Sequence, residues 1–326
     1  MSERSIALER QIASQPERLE AVLDRPLPRS ALERLRGASR IWLVGTGTSQ
    51  HAAELGAWMF QEGGRAAHAM GSMAFAIRTP PLADGDALVL ISHNAGAETA
   101  YAGAAWTLAS RAGLPVVAIT RTGGALPDPV ETVEKETSHT YTVSYTAALV
   151  QLARLAFELG AETFSPGVLA RVPDAVRLAI GDPAPVEQPE RLLVFTGEGP
   201  AGVTAREGAL KVREASRFPA EGYDVEALLH GHAVPLDASD RLVTLVPPDT
   251  DGLTAGVEPV ARAAAIGVTR IEEPADLPPL LAQIPLTVRL QALALRFALE
   301  RGRNPDVAIE GPWDDPALWA IGSPGT

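Results

Sequence analysis

The stretch Arg40-Ile-Trp-Leu-Val-Gly-Thr-Gly-Thr-Ser49 decides the fold. Its first half, Arg40 to Val44, ends in four large apolar side chains and reads as a strand; Gly45 to Ser49 is a turn of small residues, and Gln50 to Glu62 is a helical run. Strand, small-residue turn and helix in immediate succession open a βα unit. Downstream the alternation continues with a strand at Ala87 to Ser92, a helix from Glu98 to Ala112, a strand at Val116 to Thr120 and a helix from Thr146 to Gly160. Parallel strands need helix-length crossovers, so this order predicts a parallel sheet with helices on both faces. Upstream, Ile6, Leu8, Ile12, Leu19 and Val22 flank Pro16 and predict two short amphipathic helices.

A second series follows the proline-rich segment 182–190, DPAPVEQPE. Arg191 to Thr196 reads as a strand, Gly197 to Gly202 as a glycine-rich turn and Thr204 to Arg217 as a helix; strand 241–246, helix 256–266, strand 267–271 and helix 285–301 complete it. Both halves open with strand, glycine turn and helix, the pattern of a structural duplication with little sequence identity. A chain of 326 residues also suits two domains of roughly 150 residues each. The expected organisation is an N-terminal helical segment over 1–30, a first domain over 31–165, a connection over 166–190, a second domain over 191–302 and a tail over 303–326.

Composition narrows the chemistry. The chain has no cysteine, which removes disulfides, thiol nucleophiles and cysteine-dependent glutaminase activity from consideration. A formal charge of -12 opposes broad nucleic-acid binding, which needs a basic footprint. The charged N-terminus lacks the apolar core of a secretion signal, and Arg154, Arg289 and Arg296 break the longer apolar runs, so a cytoplasmic protein without membrane spans is expected. Only Lys135 and Lys211 are lysines among 28 basic residues. A GC-rich genome explains the arginine habit, whereas a retained lysine can mark a need for a titratable amine.

Backbone N–H groups and hydroxyls converging at a helix start bind phosphate. Gly47-Thr48-Ser49 lies at one such turn and Ser92-His93-Asn94 to Thr99 at a second, both at the carboxyl edge of a parallel sheet. The same residues also suit plain tight turns and helix caps. A dinucleotide fingerprint is incomplete because position 50 is Gln where a third glycine is needed. Glu207-Gly-Ala-Leu-Lys211-Val-Arg-Glu214 places Glu207, Lys211 and Glu214 along one helix face. A carboxylate beside a cation suits proton transfer between sugar carbons, and the spacing equally fits a solvent-facing row of salt bridges. His230-Gly231-His232 offers a group that titrates near neutrality, or a surface turn; two histidines without a carboxylate partner are a weak metal signal, and no metal or cofactor is expected. His93 and His139 fall in the loops of the expected pocket.

These residues together resemble the SIS (sugar isomerase) family, in particular the isomerase half of glucosamine-6-phosphate synthase and stand-alone amino-sugar-phosphate deaminases. Gln15-Pro16 is similar to that family's leading segment, Gly47-Thr48-Ser49 to its first phosphate loop, the 207–214 helix to its catalytic helix and His230-Gly231 to its His-Gly. The resemblance implies two SIS domains, each a flavodoxin-like three-layer αβα sandwich. It further implies phosphate held by Ser49, Ser92 and Thr99, Glu214 as the proton-transfer base assisted by Lys211, and His230 opening the sugar ring from the partner subunit of a homodimer.

The departures shape the expected activity. The second loop is two residues longer than the family's usual form, and His139-Thr140-Tyr141-Thr142-Val143 replaces the usual segment near the sugar. No lysine follows Lys211, so no counterpart of the synthase's tail Schiff base is expected, nor is a glutaminase domain before the first helix. The expected function is therefore a glutamine-independent isomerase or deaminase acting on an amino-sugar 6-phosphate or a related phosphosugar. The alternatives are a simple aldose-ketose phosphosugar isomerase and a phosphosugar sensor without turnover.

Overall fold

A computed structural model describes residues 6–94, 100–248, 250–274, 276–315 and 317. Among them the chain builds two sheets, parallel throughout. The first comprises β1 (Arg40–Gly45), β2 (Ala66–Gly71), β3 (Asp86–Ile91), β4 (Val116–Thr120) and β5 (Val130–Glu131), in the order β2-β1-β3-β4-β5. The second comprises β6 (Leu193–Gly197), β7 (Ala220–Asp224), β8 (Arg241–Val246) and β9 (Gly267–Glu272), in the order β7-β6-β8-β9. The parallel α/β expectation is met. Three strands lie beyond the sequence reading, β2, β5 and β7, because segments such as Ala66-Ala-His-Ala-Met-Gly71 carry little β-propensity of their own and pair only because a neighbour presents an edge.

Helices cover both faces of each sheet, as period-two alternation requires. On β1, Leu43 meets Gly56 and Leu152 of the Thr48–Glu62 and Val143–Glu158 helices, whereas Val44 packs with Phe75, Ala102 and Ala105 of the Ser72–Ile77 and Ala100–Arg111 helices. On β6, Phe195 packs with Ala205, Ala209 and Leu290 of the Pro200–Ser216 and Pro279–Glu300 helices, and Val194 packs with Val257 and Ala261 of the Leu253–Ala263 helix. The central strands β1 and β6 are thus covered on both sides, which is why they read as continuous apolar runs.

The described residues divide into two compact units, one within 17–136, 143–170 and 309–317 around the first sheet, the other within 6–16, 137–142 and 171–308 around the second. This differs from the linear division expected from the sequence. The N-terminal helix Ala7–Ala13 belongs with the second sheet because Leu8 and Ile12 are buried in that core, and its first N–H groups, of Ala7 and Leu8, donate to the Asp306 carboxylate at 2.8 Å each.

The two units repeat each other in detail. In the first, the Arg40 guanidinium holds Asp86 through both carboxylate oxygens, at 2.8 and 2.6 Å, and donates to the Pro81 carbonyl; Ala83 N–H donates to the same carboxylate. In the second, Arg191 holds Asp240 through both oxygens and donates to the Pro235 carbonyl, and Asp237 N–H donates to Asp240. Pro81-Leu-Ala-Asp-Gly-Asp86 and Pro235-Leu-Asp-Ala-Ser-Asp240 are thus one motif used twice, each clamping the start of a central strand. Burial would raise the Asp86 pKa, but Arg40, Ala83 N–H and the Trp42 indole hold it below the ordinary carboxylate range.

Close backbone approaches fix the strand-to-helix geometry. A Cβ at Gly45 would lie 2.3 Å from the Ser49 carbonyl oxygen and one at Gly197 2.5 Å from Ala201 Cβ. The N-cap glycines Gly47 (φ 54, ψ -125) and Gly199 (φ 50, ψ -118) adopt the same left-handed conformation, which excludes an ordinary side chain. Gly222 of β7 would place a Cβ 2.3 Å from the Ala205 carbonyl oxygen, so the Pro200–Ser216 helix lies directly on this strand.

His93 ties the exits of the first sheet together. Its carbonyl accepts from Thr120 Oγ1 at 3.0 Å and Arg121 N–H at 3.2 Å; its Nε2 accepts the Glu136 N–H at 3.2 Å, and Glu136 in turn accepts from Ser144 N–H at the head of the Val143–Glu158 helix at 2.8 Å. Burial pushes the His93 imidazole down to about 4, and Arg121 and Lys135 add repulsion, so the ring stays neutral in the folded chain.

Two outcomes are expected. Gly222→Ala should destabilise the second unit by about 1–3 kcal/mol in urea unfolding, toward the upper end because the obstacle is backbone. As pH falls from the unfolded-state value of 6.5 toward 4, the unfolded chain binds a proton at His93 that the folded chain refuses, so stability is complete above this window and declines through it, by at most about 1.4 kcal/mol per pH unit. His93→Gln, which keeps an acceptor for Glu136 N–H, should flatten that decline in unfolding measured from pH 7 to 4.

Candidate active site

In the first unit, β1 and β3 are neighbours and their crossovers run in opposite directions, to β2 on one side and β4 on the other. The carboxyl end of such a strand pair is the switch point where open α/β sheets bind ligands. Gly47, Thr48 and Ser49 leave β1 there and start the Thr48–Glu62 helix, with Gln50 and His51 N–H groups bonded to the Gly47 carbonyl. Ser92, His93 and Asn94 leave β3 at the same edge; Ser92 N–H is bonded to the Ile119 carbonyl. Thr99 lies outside the described residues. The hydroxyls of Thr46 and Ser72 pair with each other beside the first turn, a contact that the sequence reading had no means of finding because Ser72 follows the unexpected strand β2.

In the second unit, the Pro200–Ser216 helix carries the expected acid-base residues Lys211 and Glu214. Glu207 and Lys211 have no solvent exposure, and a quarter of the Glu214 side chain is exposed. Lys211 Nζ lies 2.6 Å from Glu214 Oε2 and 3.5 Å from Glu207 Oε1. The solvent-facing salt-bridge reading is therefore incorrect: this is a buried carboxylate–ammonium–carboxylate row, open to solvent only at Glu214. Burial pushes the Glu214 pKa up; the Lys211 charge and hydrogen bond pull it down, Glu207 pushes it up again and Arg213 pulls it down, and the net displacement is upward. An anion held in place by a buried cation, yet more basic than an ordinary carboxylate, is suited to taking a proton from carbon. Glu207 was part of the sequence pattern but not of the expected site; its complete burial beside Lys211 makes it the second counter-ion of that amine.

His230 lies in the turn Leu228–His232, where the backbone leaves helical geometry at His230 (φ -89, ψ 36) and Gly231 (φ 123, ψ -24) permits the reversal. Its Nδ1 meets the Glu226 carbonyl oxygen at 2.9 Å. A carbonyl only accepts, so Nδ1 carries the hydrogen and Nε2 is left to exchange protons. His230 is exposed, and the turn is braced by His232 stacked on Tyr223 at 4.0 Å, whose hydroxyl donates to Glu221 at 2.6 Å. His139 is exposed in the segment 137–142, its N–H bonded to the Asp306 carbonyl at 3.0 Å. Among the described residues no helix is long and apolar enough to cross a membrane.

Comparison with known proteins bears on the fold. The SIS domain family model matches residues 34–155, which contain the first sheet; one SIS domain is thus shown where the sequence reading expects two. The glutamine–fructose-6-phosphate aminotransferase (isomerizing) of Thermococcus kodakarensis is 29% identical over 335 residues, covering 91% of this chain and 56% of that protein, and the one from Chlorobaculum tepidum is 29% identical, covering 84% and 50%. The chain spans about half the length of these relatives. Among solved structures, tagatose-6-phosphate ketose/aldose isomerase from Escherichia coli superposes with a TM-score of 0.78 at 19% identity, covering 97% of this chain and 99% of that one. Glucosamine-6-phosphate deaminase from Thermotoga maritima gives 0.75 at 19% identity over 92% and 96%. The C-terminal domain of the Francisella tularensis glucosamine-fructose-6-phosphate aminotransferase gives 0.74 at 20% over 93% and 99%; at these identities the likeness is one of fold. Residues 34–155 are a SIS domain, and the chain resembles the isomerase domain of glucosamine-fructose-6-phosphate aminotransferase.

Proposed function

We propose that the chain is an amino-sugar-6-phosphate isomerase and deaminase, independent of glutamine, in which Glu214 moves a proton between C2 and C1. The observation that carries this reading is the buried row Glu207–Lys211–Glu214, which supports a carboxylate of raised pKa with solvent access at Glu214 alone. In the proposed reaction His230 Nε2 exchanges the proton that opens the cyclic sugar. Glu214 then removes the proton from C2 of the open 2-amino-aldose, and its return to C1 gives the 2-imine of the ketose. Water adds to that imine and its nitrogen leaves as ammonia, so the products are a ketose phosphate and ammonia.

Gly47, Thr48, Ser49, Ser92, His93, Asn94 and Thr99 form the proposed phosphate-binding set at the β1/β3 switch point, with His139 toward the sugar. His93 serves that set through its main-chain contacts, which set the exit of β3. The second sheet, which repeats the order and the Arg–Asp clamp of the first, is proposed as a second SIS domain. A homodimer with His230 supplied across the interface is the proposed assembly; the exposed Leu229 and Val234 beside His230, 52% and 84% accessible, favour a turn that is covered in the working protein.

In a panel of 6-phosphosugars the purified protein is expected to release ammonia and form a ketose phosphate from glucosamine or galactosamine 6-phosphate, or to release ammonia and form an aldose phosphate from fructosamine 6-phosphate. Ketose formation from a plain aldose 6-phosphate, with no ammonia from any amino sugar, would reduce the activity to simple isomerisation, and saturable binding without turnover would leave a sensor. Glu214→Gln should lower kcat by roughly 10²–10⁴-fold with little change in KM. Because the base works ionised, kcat/KM should rise with pH through an apparent pKa above the ordinary carboxylate range, the direction in which burial displaces Glu214.

A further inference from the structure

The two units repeat the same strand order, the same glycine turn and the same Arg–Asp clamp, so the points at which they differ are informative. One lies in the middle of the turn. Where the first unit has Gly45-Thr46-Gly47, the second has Gly197-Glu198-Gly199. Thr46 pairs with the Ser72 hydroxyl. Glu198 instead reaches across the carboxyl end of its sheet to the head of the Leu253–Ala263 helix, where Oε1 accepts the Thr254 N–H at 2.5 Å and Oε2 the Asp251 N–H at 2.8 Å.

That helix follows β8 as the Ala100–Arg111 helix follows β3, and β6 and β8 are neighbours whose crossovers diverge to β7 and β9. Glu198 therefore lies at the switch point of the second sheet, the place where the first sheet presents its two hydroxyl-bearing turns. Main-chain N–H groups at a helix start attract anions. Here they hold one already, a carboxylate gripped through both oxygens. Thr254 is 1% exposed, and its Oγ1, covalently beside the N–H that binds Glu198, has no hydrogen-bond partner among the described residues. The position thus holds a bound anionic group and a spare buried hydroxyl, in a unit that carries no other side-chain anion bonded to these N–H groups among the described residues.

We propose that Glu198 is a built-in anion that fills the anion-binding position of the second sheet, so that this half of the chain takes no phosphate of its own, and that removing the carboxylate opens the position to inorganic phosphate. The consequence is functional asymmetry between two otherwise similar halves: one switch point is left for an external anion and the other is permanently satisfied from within.

The test counts inorganic phosphate bound by the full chain, wild type against Glu198→Thr, which installs the residue found at position 46. Calorimetry or ³¹P titration at matched ionic strength in chloride gives the stoichiometry. The variant is expected to bind one phosphate more than the wild type; equal stoichiometry overturns the proposal. This inference stands apart from the reading of the first-sheet loops, which the wild type tests alone. A wild type that binds one phosphate supports those loops and one that binds none rejects them, while the difference between variant and wild type judges Glu198 in either case. Should Glu198→Thr fail to fold, Glu198→Gln keeps the side-chain volume and removes the charge. Phosphate at about ten times its Kd is then expected to raise the melting temperature of this variant about 3 °C more than that of the wild type, and equal shifts overturn the proposal.

Discussion

Everything at the ligand edge of these sheets depends on a steric constraint: a helix that starts within three residues of a strand's end must lay its first turn on that strand with no Cβ between them. Gly45 and Gly197 meet it at the strand ends, at distances a methyl group could not occupy, and Gly47 and Gly199 meet it in backbone conformation. The same constraint acts at Gly222, which lets the edge strand β7 lie against the backbone of the Pro200–Ser216 helix. Tight turns of this kind bring helix N-termini to one edge of a parallel sheet, and a fold so built collects anion-binding main chain there whatever its substrate.

On this frame the proposed chemistry rests on a cation that has left water. An ammonium as deeply buried as Lys211 is tolerated because two carboxylates flank it, one sealed in the helix interface and one reaching solvent. A buried pair of this kind gains little net stability, since desolvation offsets most of the attraction, so its presence speaks for a role other than holding the fold together. The asymmetry between the carboxylates matters more than their number. Glu207 answers the amine's charge within the core, while Glu214 shares that charge and stays in contact with the outside. Arginine, the habitual cation of this sequence, carries a broad planar group where Lys211 fits a compact one between two side chains of its own helix.

The fold was legible where strands are buried on both faces. Ile41 to Val44, Ala87 to Ile91 and Val194 to Phe195 are apolar without interruption, and only a sheet covered by helices on each side asks for that. The edge strands β2, β5 and β7 were not legible, although β9 was: Ala66-Ala-His-Ala-Met-Gly71 and Ala220-Glu-Gly-Tyr-Asp224 are extended because β1 and β6 offer them partners. The acid-base helix was legible as a face but not as an environment. Offsets along a helix place Glu207, Lys211 and Glu214 in one row whether that row meets water or a core, and it was Gly208 against Leu290, with Gly222 against Ala205, that decided for the core.

The sequence by itself determined the local matters: which runs are buried strands, where glycine must turn the chain, that no thiol chemistry is available and that one helix aligns two carboxylates with a lysine. These depend on neighbours a few residues apart, whose relative positions covalent geometry and helical or strand periodicity already set. Only the tertiary structure decided that the lysine is dry, that Glu214 is the carboxylate with access to solvent, that His93 serves as a neutral tie between strand exits and that Glu198 bonds the head of a helix some fifty residues further on. The physical reason is that desolvation and hydrogen bonding between distant segments depend on which surfaces meet when the layers pack, and no spacing along the chain encodes that meeting.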